Sequence, residues 1–151
     1  MALWDQVKAK TQTISEQAKL KKDQFRSKDF ADASMAMCAL IATADGSIDT
    51  AERQRTAALI TSNDTLSIFP PDELRQKFDG YCDKLSRDFE FGKVEAIAAI
   101  GKLRSKPDQA RAVIAIGMII GKADGSFDAD ERRAVTDACH AVGIAPTEFD
   151  L

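Results

Sequence analysis

The chain has 151 residues, 44% of them apolar and 30% charged, with a net charge of −3. That length and composition suit one domain with its own core and argue against a low-complexity or unfolded chain. The charge is uneven: residues 1–29 hold seven Lys/Arg against four Asp/Glu and the remainder fourteen against twenty, which argues against nucleic acid as a partner of the body.

The first predicted element runs over residues 4–27, rich in Lys, Gln, Ala and Glu without Pro or Gly. Leu3, Trp4, Val7, Ile14, Ala18 and Phe25 give it a thin apolar stripe. One reading is an interfacial helix in which Leu3 and Trp4 insert while lysines face anionic lipid, a peripheral membrane contact through residues 1–28. The other, favoured by the thinness of the stripe, is a helix packed loosely on the body. The expected division is a basic helical segment at 1–28 and a helical domain at 29–151.

A second helix is expected from Phe30 to Ala44, with Ala33, Met37, Leu40 and Ile41 at helical spacing and Gly46 suited to a left-handed cap. A third starts after Asp49 and ends before Ser62-Asn63-Asp64. Pro70 and Pro71 open a fourth, to about Ser86, with Phe78, Tyr81, Cys82 and Leu85 buried. Phe89 and Phe91 lead into a fifth, Lys93–Leu103, with Val94, Ile97, Ala98 and Ile100 inward. After Ser105-Lys106-Pro107 an apolar helix runs from Asp108 to Ala123, and a last one follows Asp128 toward His140, closed by Gly143 and Pro146. No segment alternates with the period of a strand. The expectation is an all-α, single-domain bundle of about seven helices.

The most informative feature is a repeat. Ala-Asp-Gly-Ser-Ile-Asp-Thr-Ala-Glu-Arg at 44–53 returns 79 positions later as Ala-Asp-Gly-Ser-Phe-Asp-Ala-Asp-Glu-Arg at 123–132. Residues 29–60 laid over 108–139 also match at Asp29/Asp108, Ala31/Ala110, Ala33/Ala112, Ala36/Ala115 and Ile41/Ile120, so the unit is helix, loop, helix. Two copies at this spacing point to a pseudo-two-fold domain and not a solenoid.

Each copy fixes three carboxylates: Asp45, Asp49 and Glu52, then Asp124, Asp128 and Glu131. Asp49-x-x-Glu52 and Asp128-x-x-Glu131 have capping-box spacing, so helix capping explains them without a ligand. It leaves Asp45 and Asp124, each at the negative end of a helix, which costs roughly 0.3–1 kcal/mol unless a cation, an Asx turn or a nearby Arg53 or Arg132 offsets it. Asp45-Gly46-x5-Glu52 fits the second half of an EF-hand loop, but the first ligand places fall on Ile41 and Thr43, and on Ile120 and Lys122 in the other copy. One loop therefore cannot supply 6–8 oxygens to Ca²⁺. Both loops together, water, or acids such as Asp79, Asp83, Asp88, Glu90 or Glu95 would be needed. Oxygen ligands favour Ca²⁺, Mg²⁺ or Mn²⁺, and carboxylates also accept Zn²⁺.

Enzymatic chemistry is poorly served. The one histidine, His140, is adjacent to Cys139 instead of sharing a helix face with it, and no nucleophile–base–orienter set accompanies them. Cys38, Cys82 and Cys139 are scattered and odd in number, as reduced thiols of a cytoplasmic protein would be. Asp5, Lys8 and Lys10 interrupt any secretory lead, and Ala112–Gly121 falls short of the roughly 20 residues that span a bilayer.

Trp4-Asp5-Gln6-Val7-Lys8, Met37-Cys38-Ala39-Leu40-Ile41-Ala42, the block from Asp124 to Glu131 and the closing Pro146-Thr147-Glu148-Phe149-Asp150-Leu151 resemble the TerB family of bacterial tellurite-resistance proteins. The paired Asp-Gly motifs are the most specific part. The resemblance implies an all-helical, internally symmetric fold whose acidic surface chelates a metal through Asp45, Asp49, Glu52, Asp124, Asp128 and Glu131. It also implies a cytoplasmic stress-response assembly with a TerC-like membrane protein and TerD-like proteins. Two functions follow as expectations: a non-enzymatic divalent-metal-binding module, or an acidic scaffold for a membrane-associated resistance complex in which the loops only cap helices. Direct capture of tellurite by the thiols is a third.

Overall fold

A computed structural model describes residues 3–20, 25–121 and 127–151. Among these residues there are seven α-helices and no strand: α1 Leu3–Leu20, α2 Lys28–Ala42, α3 Thr50–Ser62, α4 Pro71–Arg87, α5 Phe89–Gly101, α6 Pro107–Gly121 and α7 Ala129–Val142. The 3-10 turns Thr65–Ile68 and Pro146–Phe149 follow α3 and α7.

Composition sets the layering. α2 is buried on nearly every side, from Phe30 through Ile41, and α6 likewise from Gln109 to Ile120. A helix apolar all round belongs at the centre of a bundle, and these two pack on each other there. Gly121 lets them approach, since a Cβ on it would lie 2.8 Å from Cβ of Ile41. α4 and α5 cover α2, α1 covers α6, α7 packs on α5, and α3 lies against α4.

Three boundaries differ from the sequence reading. α1 is described to Leu20, residues 21–24 lie outside the described residues, and the helix does not reach 27, because Ser27 is extended (φ −129°, ψ 153°) and caps α2 by accepting from the Phe30 N–H at 3.1 Å. α2 ends at Ala42, not Ala44: Thr43 caps it, and Gly46, at φ 100°, serves the connection after the helix. Asp88 starts α5 early by accepting from the Phe91 N–H at 3.2 Å. α6 is described to Gly121, and the expected continuation to Ala123 lies outside the described residues.

The inward face of α5 is also rotated from the expected stripe. Gly92, Ala96, Ala99 and Ile100 are buried, while Phe91 and Val94 are 63% and 67% exposed. The tight α4–α5 corner decides this, since a Cβ on Gly92 would come within 2.8 Å of the Leu85 backbone and only the small-residue face fits there.

α1 is docked. Trp4, Val7 and Ala18 belong to the hydrophobic core, and Lys19 reaches Asp64 at 2.9 Å. None of the described helices is long and apolar enough to cross a membrane. α2 and α6, and α3 and α7, share the 79-residue offset at their starts.

Candidate acidic cleft

The caps form as their spacing predicts. Asp49 Oδ1 accepts from the Glu52 N–H at 2.7 Å while Glu52 Oε1 accepts from the Asp49 N–H at 3.4 Å. Asp128 and Glu131 make the same exchange at 2.9 Å each way. Asp45 turns back on its own connection, its Oδ1 accepting from the Ser47 N–H at 3.2 Å. The Glu52 N–H, with the charge of Arg55 contributing less, holds Asp49 below the usual carboxylate range.

What the sequence could not place is where the loops lie relative to each other. Asp45 and Glu52 from the first copy and Asp128 and Glu131 from the second line one cleft of about 80 Å³. Ile41 of α2 and Gly121 of α6 also line it. Glu131 is only 2% exposed. Of the six predicted ligands, four therefore line the cleft, Asp49 does not, and Asp124 lies outside the described residues. Among the described residues no three His, Cys, Asp or Glu side chains are gathered closely enough to hold a metal ion as they stand.

Arg55 also lines the cleft, and sequence reasoning missed it. The signal was available, since Glu52 and Arg55 are three apart on one helix and share a face. Arg53, expected to neutralise the loop, instead reaches across to α4, 2.8 Å from Asp83 and 3.7 Å from Asp79. Lys84 pairs with Glu95 at 3.5 Å, and Asp88 caps α5. Those acids serve the scaffold and are not among the residues of the cleft.

The thiols are sequestered. All three cysteines are buried, and burial pushes Cys38 up strongly and Cys82 and Cys139 up to about 12, which keeps them protonated and weakly nucleophilic. His140 is exposed while its neighbour Cys139 is buried, so the two point to different environments.

Asp45 and Glu52 gathered with Asp128 and Glu131 beside two central apolar helices are thus the distinguishing geometry of the described residues. Residues 31–151 match the family described as tellurite resistance protein TerB. The chain belongs to the TerB family. A curated relative, a tellurium resistance protein TerB from an Alcaligenes species, is 25% identical over 118 residues, spanning 78% of this chain and 97% of the relative. No solved structure matches. The TerB match begins inside α2, takes in both acidic loops, and leaves α1 ahead of it.

Proposed function

We propose that this TerB-family chain is a non-enzymatic divalent-cation-binding module of a tellurite-resistance and stress-response system, and that one cation is taken at the cleft between the loops. The observation that carries this reading is the convergence of Asp45, Glu52, Asp128 and Glu131 on a single small cleft. Like charges brought together there raise the local free energy, and a bound cation relieves it. The donors are all carboxylate oxygens, which fits Ca²⁺, Mg²⁺ or Mn²⁺ and admits Zn²⁺. Because no three described acids already form a ligand set, binding requires the carboxylates to draw in, with Asp124 as the sixth acid of the repeat and water supplying further oxygens. Arg55 competes with the ion for the same carboxylates.

The test is thermal unfolding of metal-free protein with and without each cation. Binding to the folded state raises the melting temperature by mass action. Asp45→Asn combined with Asp124→Asn should abolish the rise, and a rise that survives this change places any binding elsewhere.

A second reading has its own support. Both capping boxes are closed and Asp45 is engaged by Ser47, so every described loop acid except its spare oxygens already has a structural task. In that reading the acidic surface is a scaffold for basic partners, and the substitutions weaken partner capture without changing any cation response. In either case the assembly proposed is cytoplasmic, reaching the inner membrane face through a TerC-like protein and including TerD-like proteins. Membrane contact by α1 itself would require Trp4, 7% exposed, to leave the core.

A further inference from the structure

The two copies differ at one apolar position within the repeated string: Ile48 in the first, Phe127 in the second. Ile48 lines the cleft, whereas the ring of Phe127 stacks on Trp4 of α1, with centroids 5.5 Å apart and planes at 25°. Phe127 immediately precedes Asp128, whose cap with Glu131 fixes the start of α7. The wall of the cleft is thus one residue away from the contact that holds the beginning of α1.

That contact is poised and not deeply locked. Trp4 is 7% exposed, yet its indole N–H finds no acceptor among the described residues, and a buried donor left so favours returning to water. Beside it lies an open groove of about 440 Å³, lined by Trp4, Lys8 and Gln12 of α1, Leu59 of α3, and Ile119 and Ile120 of α6. At the far end of the helix, the Lys19–Asp64 ion pair is exposed on both sides and adds little. Val7, Thr11 and the Trp4–Phe127 stack are the buried contacts of the N-terminal half of α1, and of these the stack is the one that reaches the start of α7.

We propose that α1 is a releasable strap whose docking is set by the Asp128–Glu131 cap, with the Phe127–Trp4 stack as the coupling element, and that the Asp49–Glu52 cap has no such influence. Coupling of this kind is reciprocal: loosening the Asp128–Glu131 cap frees Phe127 and undocks α1, and undocking α1 loosens the cap. Release exposes Trp4, Val7 and the apolar side of α6 beneath them.

The experiment is a matched pair in the full chain without any cation, so that its result is separate from cation binding. Trp4 is the single tryptophan and reports its own burial. Asp128→Ala and Asp49→Ala remove the equivalent N-caps of α7 and α3, and the two are compared at equal distance below their own unfolding transitions. Emission is read below the unfolding transition, where circular dichroism verifies that both variants remain helical. Asp128→Ala should shift Trp4 emission to the red and speed proteolytic cleavage within α1 about fivefold, following the larger open population, while Asp49→Ala leaves both near wild type. Phe127→Ile, which gives the second copy the residue of the first, should reproduce the Asp128→Ala effect with both caps intact. Equal responses of the two cap variants, or no response to Asp128→Ala and Phe127→Ile, would overturn the proposal.

Discussion

Asp128 and Glu131 exchange two hydrogen bonds of 2.9 Å, whereas the corresponding exchange between Asp49 and Glu52 is 2.7 Å one way and 3.4 Å the other. The second cap is also the more enclosed, with Glu131 at 2% exposure and Glu52 exposed. The same motif is therefore held more tightly in its second copy.

Removing either cap should cost stability unequally. Asp49→Ala is expected to cost about 0.5–1 kcal/mol and Asp128→Ala about 1–2 kcal/mol, within the range of N-cap losses. Urea denaturation of the two variants checks the order. A larger loss for Asp49→Ala would show that enclosure of Glu131 does not strengthen its cap.

Acid should destabilise the fold through groups whose folded pKa values lie low. Asp49 is lowered by the Glu52 N–H, and Glu148 by two hydrogen bonds from Arg111, at 2.8 and 3.2 Å. Their ordinary values are 3.8 and 4.5, so their contribution is complete above that range and is lost as pH falls through the lowered folded values. Asp49 is exposed and Glu148 partly exposed, so the effect is modest. The urea midpoint should fall between about pH 6 and pH 3, and Glu148→Gln should flatten that slope. A midpoint that stays level or rises on acidification contradicts this assignment.

Two glycines of the α4–α5 region should respond oppositely to alanine. Gly92→Ala places a Cβ 2.8 Å from the Leu85 backbone, which cannot swing aside, and should cost about 1–3 kcal/mol. Gly80, inside α4 with nothing within 4 Å of its added Cβ, should gain about 0.5–1 kcal/mol from helix propensity. Melting temperatures then move by roughly 2–4 °C per kcal/mol, downward for Gly92→Ala and upward for Gly80→Ala. Like-signed shifts would mean that the corner yields more readily than its geometry implies.

Native thiols should be silent. With Cys38, Cys82 and Cys139 buried and shifted upward, a thiol reagent at neutral pH should label the folded protein far more slowly than the urea-unfolded chain. In cells, changing all three to serine or alanine, in a variant shown to fold, should leave resistance intact. Rapid labelling of the native state, or lost resistance, would restore thiol capture of tellurite.

Helix existence, order and capping were legible because their signals are local. Pro71, Asp49, Asp128 and Gly143 announce ends by their own backbone and side-chain chemistry, and the apolar α2 and α6 declare themselves central. The boundary at Ala42 and the rotation of α5 were not legible, since the first depends on Thr43 capping ahead of Gly46 and the second on a close approach to Leu85. For the site, the sequence named the carboxylates but not their convergence, which depends on the side-by-side packing of α2 and α6. It also offered Arg53 and Arg132 as alternatives to a cation, whereas Arg53 pairs with Asp83 at 2.8 Å and it is Arg55 that lines the cleft.

The central claim is one cation held jointly by both loops. Calorimetric titration of metal-free protein with Ca²⁺, Mg²⁺, Mn²⁺ and Zn²⁺, comparing wild type with Asp45→Asn alone and Asp124→Asn alone, tests it most directly. A shared site predicts saturable binding near one ion per chain that either single substitution weakens strongly. Two ions per chain, with each substitution removing only one, would contradict sharing, and no saturable heat with any cation would return the loops to helix caps on an acidic scaffold.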